Sequence, residues 1–157
     1  MTAELALRPP GAADRAAWDR LWQGYQRFYK VEIPGPVSDL TWARLHTPDE
    51  PMFAMLAWQG ARAVGLVHWI FHRSTWTDGP YCYLQDLYVD EDVRGSGAGR
   101  ALIAHVRSEA EAAGASRLYW LTHETNTDAM ALYDKVAERS GWAILRIPRV
   151  SCCFTAA

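Results

Sequence analysis

The residue types that could do chemistry in this chain are concentrated in the run Leu84-Gln-Asp-Leu-Tyr-Val-Asp-Glu-Asp-Val-Arg94-Gly-Ser-Gly-Ala-Gly-Arg100. An apolar strand end leads through an acidic loop into Arg94, Gly95, Ser96, Gly97, Ala98, Gly99 and Arg100, where a helix should begin. Glycines at such a junction let backbone N–H groups converge on an anion, and the helix dipole adds to the attraction. A phosphate or pyrophosphate is the natural guest. A purely structural turn is the plain alternative, although three glycines in five residues exceed what starting a helix requires. Two familiar phosphate motifs do not fit. A dinucleotide fingerprint needs GxGxxG after the first strand of a βαβ unit, whereas the spacing here is GxGxG after several strands. A nucleotide-hydrolase loop needs Lys followed by Ser or Thr after its last glycine, and Arg100-Ala101 stands there.

Other reactive side chains are scattered. Cys82, Cys152 and Cys153 are odd in number and two are adjacent, so neither a disulfide framework nor a CxxC metal site can be drawn; no metal is expected. His68 and His72 fall in strand-like sequence, where a satisfied structural histidine is the ordinary expectation. Asn126 and Tyr133 are seven residues apart, close to two helical turns, which puts them roughly on one face.

The elements that must position these residues follow from periodicity. Leu5 and Leu7 suit a short strand halted by Pro9-Pro10-Gly11. Trp18, Leu21, Trp22, Tyr25, Phe28 and Tyr29 fall at helical spacing and make one apolar face. Pro34-Gly35-Pro36 breaks that helix, and Ser38 or Asp39 could cap a second one carrying Leu40, Trp42, Ala43 and Leu45. Strands are expected over residues 52–58, 61–72 and 81–89, joined by Gln59-Gly60 and Asp78-Gly79-Pro80 turns. Alternation then sets in: a helix from Gly97 to Ala113, a strand over 117–122, a helix from Thr127 to Ser140, and a strand from Trp142. An antiparallel meander followed by strand–helix–strand–helix–strand implies an α/β (α+β) fold with a mixed, largely antiparallel sheet flanked by helices. No linker or repeat divides residues 1–157, so a single domain is expected.

On these motifs the chain resembles the GNAT superfamily of N-acetyltransferases. The superfamily's Arg/Gln-x-x-Gly-x-Gly/Ala motif is matched by Arg94-x-x-Gly97-x-Gly99, after the triplet Leu87-Tyr88-Val89. Asn126, with Ala129-x-x-Leu132-Tyr133, is similar to the family's Asn-x-x-Ala-x-x-Leu/Phe-Tyr segment, in the same order along the chain. Within the superfamily, the histone and polyamine (diamine) acetyltransferase branch is most similar. The resemblance implies acetyl-CoA as cosubstrate, bound in a splayed gap between the fourth and fifth strands. It implies that backbone groups of residues 95 to 100 hold the pyrophosphate, with Arg94 adding charge. Leu87, Tyr88 and Val89 would line the pantetheine arm, and Leu87 or Tyr88 would donate its N–H to the oxyanion. Asn126 would bond the pantetheine, and Tyr133 would protonate the departing thiolate. A core aromatic with a satisfied hydroxyl is the alternative for Tyr133.

The base is less clear from sequence. Diamine acetyltransferases are similar at Leu84-x-Asp86 but carry glutamate where this chain has Gln85, and an amide cannot take up an ammonium proton. Asp86 is the nearest ionisable alternative; His123, Glu124 and a water-relayed base stay open. Trp69, Trp76 and Trp120, with Tyr81 and Tyr83, could wall a pocket for a cationic amine, or could simply be strand formers.

Composition sets the outer limits. The chain has 157 residues, half of them hydrophobic, with 16 Lys+Arg against 18 Asp+Glu and a net charge of −2. A domain of this length buries roughly 70% of its unfolded surface, and a composition half hydrophobic with a small net charge excludes disorder. The charge balance argues against nucleic acid or an anionic membrane as partner. With neither a signal-peptide pattern nor a membrane-length apolar run, a soluble cytoplasmic protein is expected. The leading expectation is acetyl transfer to a primary amine of a polyamine, amino acid or lysine-containing acceptor. A non-catalytic acyl-CoA-binding module is the alternative. The apolar Val150–Phe154 stretch could complete the sheet or pair across a homodimer.

Overall fold

The structure is a computed structural model and describes residues 4–147. It falls into two units, one running to His123 and the other starting at Glu124. The first holds β1 (Leu5–Arg8), α1 (Arg15–Tyr29), α2 (Gly35–Leu45), β2 (Met52–Gln59), β3 (Arg62–His72), β4 (Tyr81–Val89), α3 (Ala98–Ala112) and β5 (Arg117–Trp120). The second holds α4 (Thr127–Val136). The five strands form one sheet in sequence order, antiparallel except for the parallel β4–β5 pair.

Strand alternation gives the sheet two buried faces. Leu66, His68, Asp86 and Tyr88 face α1, whose Trp18, Leu21 and Trp22 pack with Leu56, Trp58, Ala63 and Leu66 into one apolar cluster. Trp69 and Gly65 face α3, where Leu102, Ile103 and Val106 are buried. Gly65 has to be small: a Cβ there would lie 3.1 Å from Leu102 and 3.3 Å from the Cβ of Ala57.

Most expected elements occur within a residue or two of their expected bounds. Three differences stand out. First, α2 begins at Gly35 rather than at Ser38 or Asp39, because Pro36 in its first turn has no N–H to satisfy. Ser38 instead accepts the Trp22 indole N–H at 3.1 Å, and Asp39 pairs with Arg15 at 2.6 Å. Second, α4 ends at Val136, short of the expected Ser140. Third, residues 137–147 carry no regular element, so the strand expected from Trp142 is not present there. The Val150–Phe154 stretch lies outside the described residues. No helix among the described residues is long and apolar enough to cross a membrane.

Candidate active site

A β-bulge at Gln85 organises the site. On β3 the partners step from His68 to Trp69, while on β4 they step from Asp86 to Leu84, so Gln85 has no opposite number. One extra residue reverses the parity of the strand beyond it. Leu84 faces α3 with Trp69, Gln85 is exposed, and Asp86 returns to the α1 face opposite His68. Tyr83 and Asp86, which strict alternation would separate, thereby share a face.

The edge of β4 opens just past the bulge. Pairing with β5 ends at Leu84↔Trp120, while β4 runs on to Val89. Asp90 donates its N–H to the Val64 carbonyl at 2.9 Å, so alternation turns the Tyr88 N–H toward β3 and those of Leu87 and Val89 toward the open edge. Of the two oxyanion donors expected from sequence, Leu87 is therefore the one aimed into the gap. Arg94 Nε donates to the Val89 carbonyl on that same edge at 3.3 Å, and its guanidinium lies 5.2 Å from the Phe28 ring.

The glycine turn follows. Buried Asp90 receives Arg20 at 3.0 Å and Arg62 at 2.9 Å, and Arg62 also grips Asp92 at 2.7 Å, which fixes the short loop leading into the turn. Gly95 and Gly97 have φ of +84° and +92°, conformations that side chains disfavour. The N–H groups of Arg94 and Ser96 are spent on the carbonyls of Glu91 and Val93. Those of Gly95, Gly97, Ala98, Gly99 and Arg100 have no acceptor among the described residues, and the last four open the N-terminal end of α3. A Cβ on Gly95 or Gly97 would meet nothing within 4 Å among the described residues. Unspent donors and a helix N-terminus together fit a pyrophosphate.

Asp86 is nine-tenths buried, and its Oδ2 lies 3.0 Å from Nδ1 of His68. His68 Nε2 in turn accepts the indole N–H of Trp18 at 2.9 Å. The Tyr25 hydroxyl also reaches the Asp86 carboxylate. Tyr25 and Tyr83 stand beside it, and Tyr29 packs on Tyr25. Burial, then the Asp86 charge, hold the Tyr25 hydroxyl well above the usual phenol range, and the same two causes push Tyr83 up. Both phenols stay protonated and can donate. His68 is the satisfied, buried histidine that its strand position implies, but its partner Trp18 and the polar Tyr25 beside Asp86 are not legible in the sequence. No local signal could have found them, since Trp18 and His68 are 50 residues apart.

The expected aromatic wall is only partly assembled. Tyr83 stacks on Tyr119 at 5.0 Å. Trp69 is buried on the other face between Phe53 and His105, and Trp76 is exposed. Within the second unit, Asn126 caps α4, its Oδ1 accepting the Ala129 N–H at 3.4 Å, and Tyr133 is half-buried on the same helix.

Residues 18–137 match the acetyltransferase (GNAT) family. The chain is 37% identical over 129 residues to the D-amino-acid N-acetyltransferase of Saccharomyces cerevisiae, covering 81% of this chain and 80% of the yeast protein. It is 35% identical over 107 residues to the thialysine N-epsilon-acetyltransferase of Bos taurus, covering 65% of this chain and 58% of the bovine one. Among solved structures, a ribosomal-protein-alanine N-acetyltransferase from Brucella melitensis superposes with a TM-score of 0.77 at 23% identity, over 93% of this chain and 99% of that one. AAC(6')-Iy in complex with a CoA bisubstrate analogue does so with a TM-score of 0.80 at 16% identity, over 94% and 99%. These two are likenesses of fold. The chain belongs to the GNAT family of acetyltransferases. It is an N-acetyltransferase that uses acetyl-CoA to acylate an amine.

Proposed function

We propose that the chain acetylates a small primary amine by direct attack on the thioester, with Asp86 receiving the proton that the amine gives up. The acceptor is an amino acid, a polyamine or a lysine side chain. The observation that carries the assignment is the Gln85 bulge. It sets a buried carboxylate and an N–H aimed into the open edge on successive residues, Asp86 and Leu87.

The free donors at Gly95 and Gly97–Arg100 hold the pyrophosphate through the backbone, so no net basic charge is needed. Leu87 and Val89 offer main-chain groups to the pantetheine arm, as a strand edge does to an added peptide. The Leu87 N–H stabilises the oxyanion that develops on the acetyl oxygen. Asp86 Oδ1 draws the cationic amine in and takes its proton, which frees the nitrogen lone pair for attack. Tyr25 and Tyr83 wall this approach with protonated phenols. From the second unit, Asn126 bonds the pantetheine, and Tyr133 gives its proton to the leaving thiolate, roles that rest on the sequence motif. The relatives' acceptors, D-amino acids and thialysine, support a small amine.

The test is Asp86→Asn, which keeps the shape and removes the basicity. Its kcat should fall by about 10²–10⁴-fold while acetyl-CoA still binds by calorimetry. A kcat within twofold of wild type would remove Asp86 from this role. An amine panel read by thiol release identifies the acceptor.

A further inference from the structure

The buried chain Trp18–His68–Asp86 has a direction, and the direction is fixed by one donor that cannot be reversed. An indole nitrogen only donates, so His68 Nε2, 2.9 Å from Trp18 Nε1, must present a lone pair. A neutral imidazole then carries its proton on Nδ1, which faces Asp86 Oδ2 at 3.0 Å. An imidazolium would set N–H against N–H at the indole. Trp18 is fully buried, stacked on Trp22 at 5.9 Å and tilted against Trp42 at 5.3 Å, so it has no room to turn away. The groups facing the pair are Trp18, Trp22 and Tyr25 from α1 and Tyr83 from β4.

We infer that His68 is a positioning residue for acetyl transfer. Trp18 locks it as the neutral Nδ1–H tautomer, and in that form it holds Oδ2 of Asp86 so that Oδ1 faces the acceptor amine. The inference rests on Asp86 being the group that receives the proton. It assigns His68 itself no proton from the substrate, because accepting one at Nε2 would break the indole bond. The lock also ties α1 to the bulge of β4, so the aim of the carboxylate depends on a helix side chain far away in sequence. Small errors of aim are costly in a proton transfer that needs hydrogen-bond contact.

Two measurements test this. In the full chain labelled with ¹⁵N-histidine, long-range ¹H–¹⁵N correlation should show His68 protonated at Nδ1 and bare at Nε2 at neutral pH. Free histidine favours the opposite tautomer, which makes the pattern diagnostic. Trp18→Phe should release Nε2 and destroy that pattern. A wild-type His68 protonated at Nε2 overturns the lock. In kinetics, His68→Ala should lower kcat about 10-fold or more with KM for acetyl-CoA little changed. His68→Asn, whose amide N–H can stand where Nδ1–H stood, should recover most of the loss. If His68→Ala does not fold, the tautomer pattern and His68→Asn set against His68→Leu, which offers no donor, carry the test. Equal kcat for His68→Asn and His68→Leu overturns the positioning role. If Asp86→Asn is inactive and the His68 variants keep wild-type kcat, this inference alone fails. If Asp86→Asn stays active, the assignment of Asp86 fails and this inference falls with it.

Discussion

Gly24 and Tyr88 touch across the interface between α1 and β4: a Cβ on Gly24 would lie 2.7 Å from Cε1, Cζ and Oη of the tyrosine ring. The helix can approach the strand this closely only because residue 24 lacks a side chain. Tyr88 lies between Leu87 and Val89, whose main chain borders the open edge of the sheet. A methyl group here must displace either the ring or the helix.

Gly24→Ala should therefore destabilise the fold by about 1–3 kcal/mol, the usual cost of overpacking a filled contact. It should also raise KM for acetyl-CoA, because the ring cannot move without disturbing its strand. Thermal melting and steady-state kinetics check both. Adding Tyr88→Leu should restore stability if the ring is the obstacle. A Gly24→Ala variant with wild-type melting and KM would mean that the contact relaxes freely.

Gly97 offers a comparison with a built-in control. Both Gly97 (φ +92°) and Gly60 (φ +58°) occupy the left-handed region, and neither has a neighbour that a Cβ would strike. Alanine at either site costs about 1 kcal/mol or more in backbone strain. Gly60 sits in the β2–β3 turn, whereas Gly97 directs the free donors at the start of α3. Gly97→Ala should weaken acetyl-CoA binding about tenfold or more by calorimetry, roughly the loss of one charge-assisted hydrogen bond. Gly60→Ala should lose stability alone. Equal affinities in the two variants would argue that the turn holds no anion.

These comparisons also mark what the sequence could show. The element order from β1 to α4, the two turns around β3 and the free donors at Gly95 and Gly97–Arg100 were legible because each depends on local chemistry: periodicity, punctuation by glycine and proline, or a run of φ-permissive residues. The surroundings of Asp86 were not. Alternation read straight through residues 81–89 sets Tyr83 and Asp86 on opposite faces, and only the unpaired Gln85 brings them together. Nothing in Leu84-Gln85-Asp86 announces a bulge, since a bulge is a matter of register between two strands and not of local residue type. The cap of α2 failed for a similar reason. Ser38 had the right chemistry for a cap, but tertiary contact with Trp22 took its hydroxyl.

The alkaline limb of stability gives a last prediction, centred on Cys82. Its thiol is fully buried, and burial pushes it up to about 11. A thiol near 8.5 in the unfolded chain and higher in the folded one stabilises the fold fully below the unfolded value. That contribution is lost as pH rises through the folded value. The window is therefore about pH 8.5 to 11. Tyr25, Tyr83, Tyr88 and Tyr119 are raised mainly by burial and act in the same sense, starting nearer pH 10. With Cys152 and Cys153 replaced by serine throughout, Cys82→Ala should melt below the parent at pH 7.5, for want of a buried side chain. The gap between the two should narrow as pH rises from 8.5 toward 10.5, because only the parent loses the thiol contribution. In parallel, native Cys82 should resist alkylation at pH 8 and react promptly once unfolded in urea. A gap that stays constant with pH, or rapid labelling of the folded parent, would show that Cys82 is not held as a buried neutral thiol.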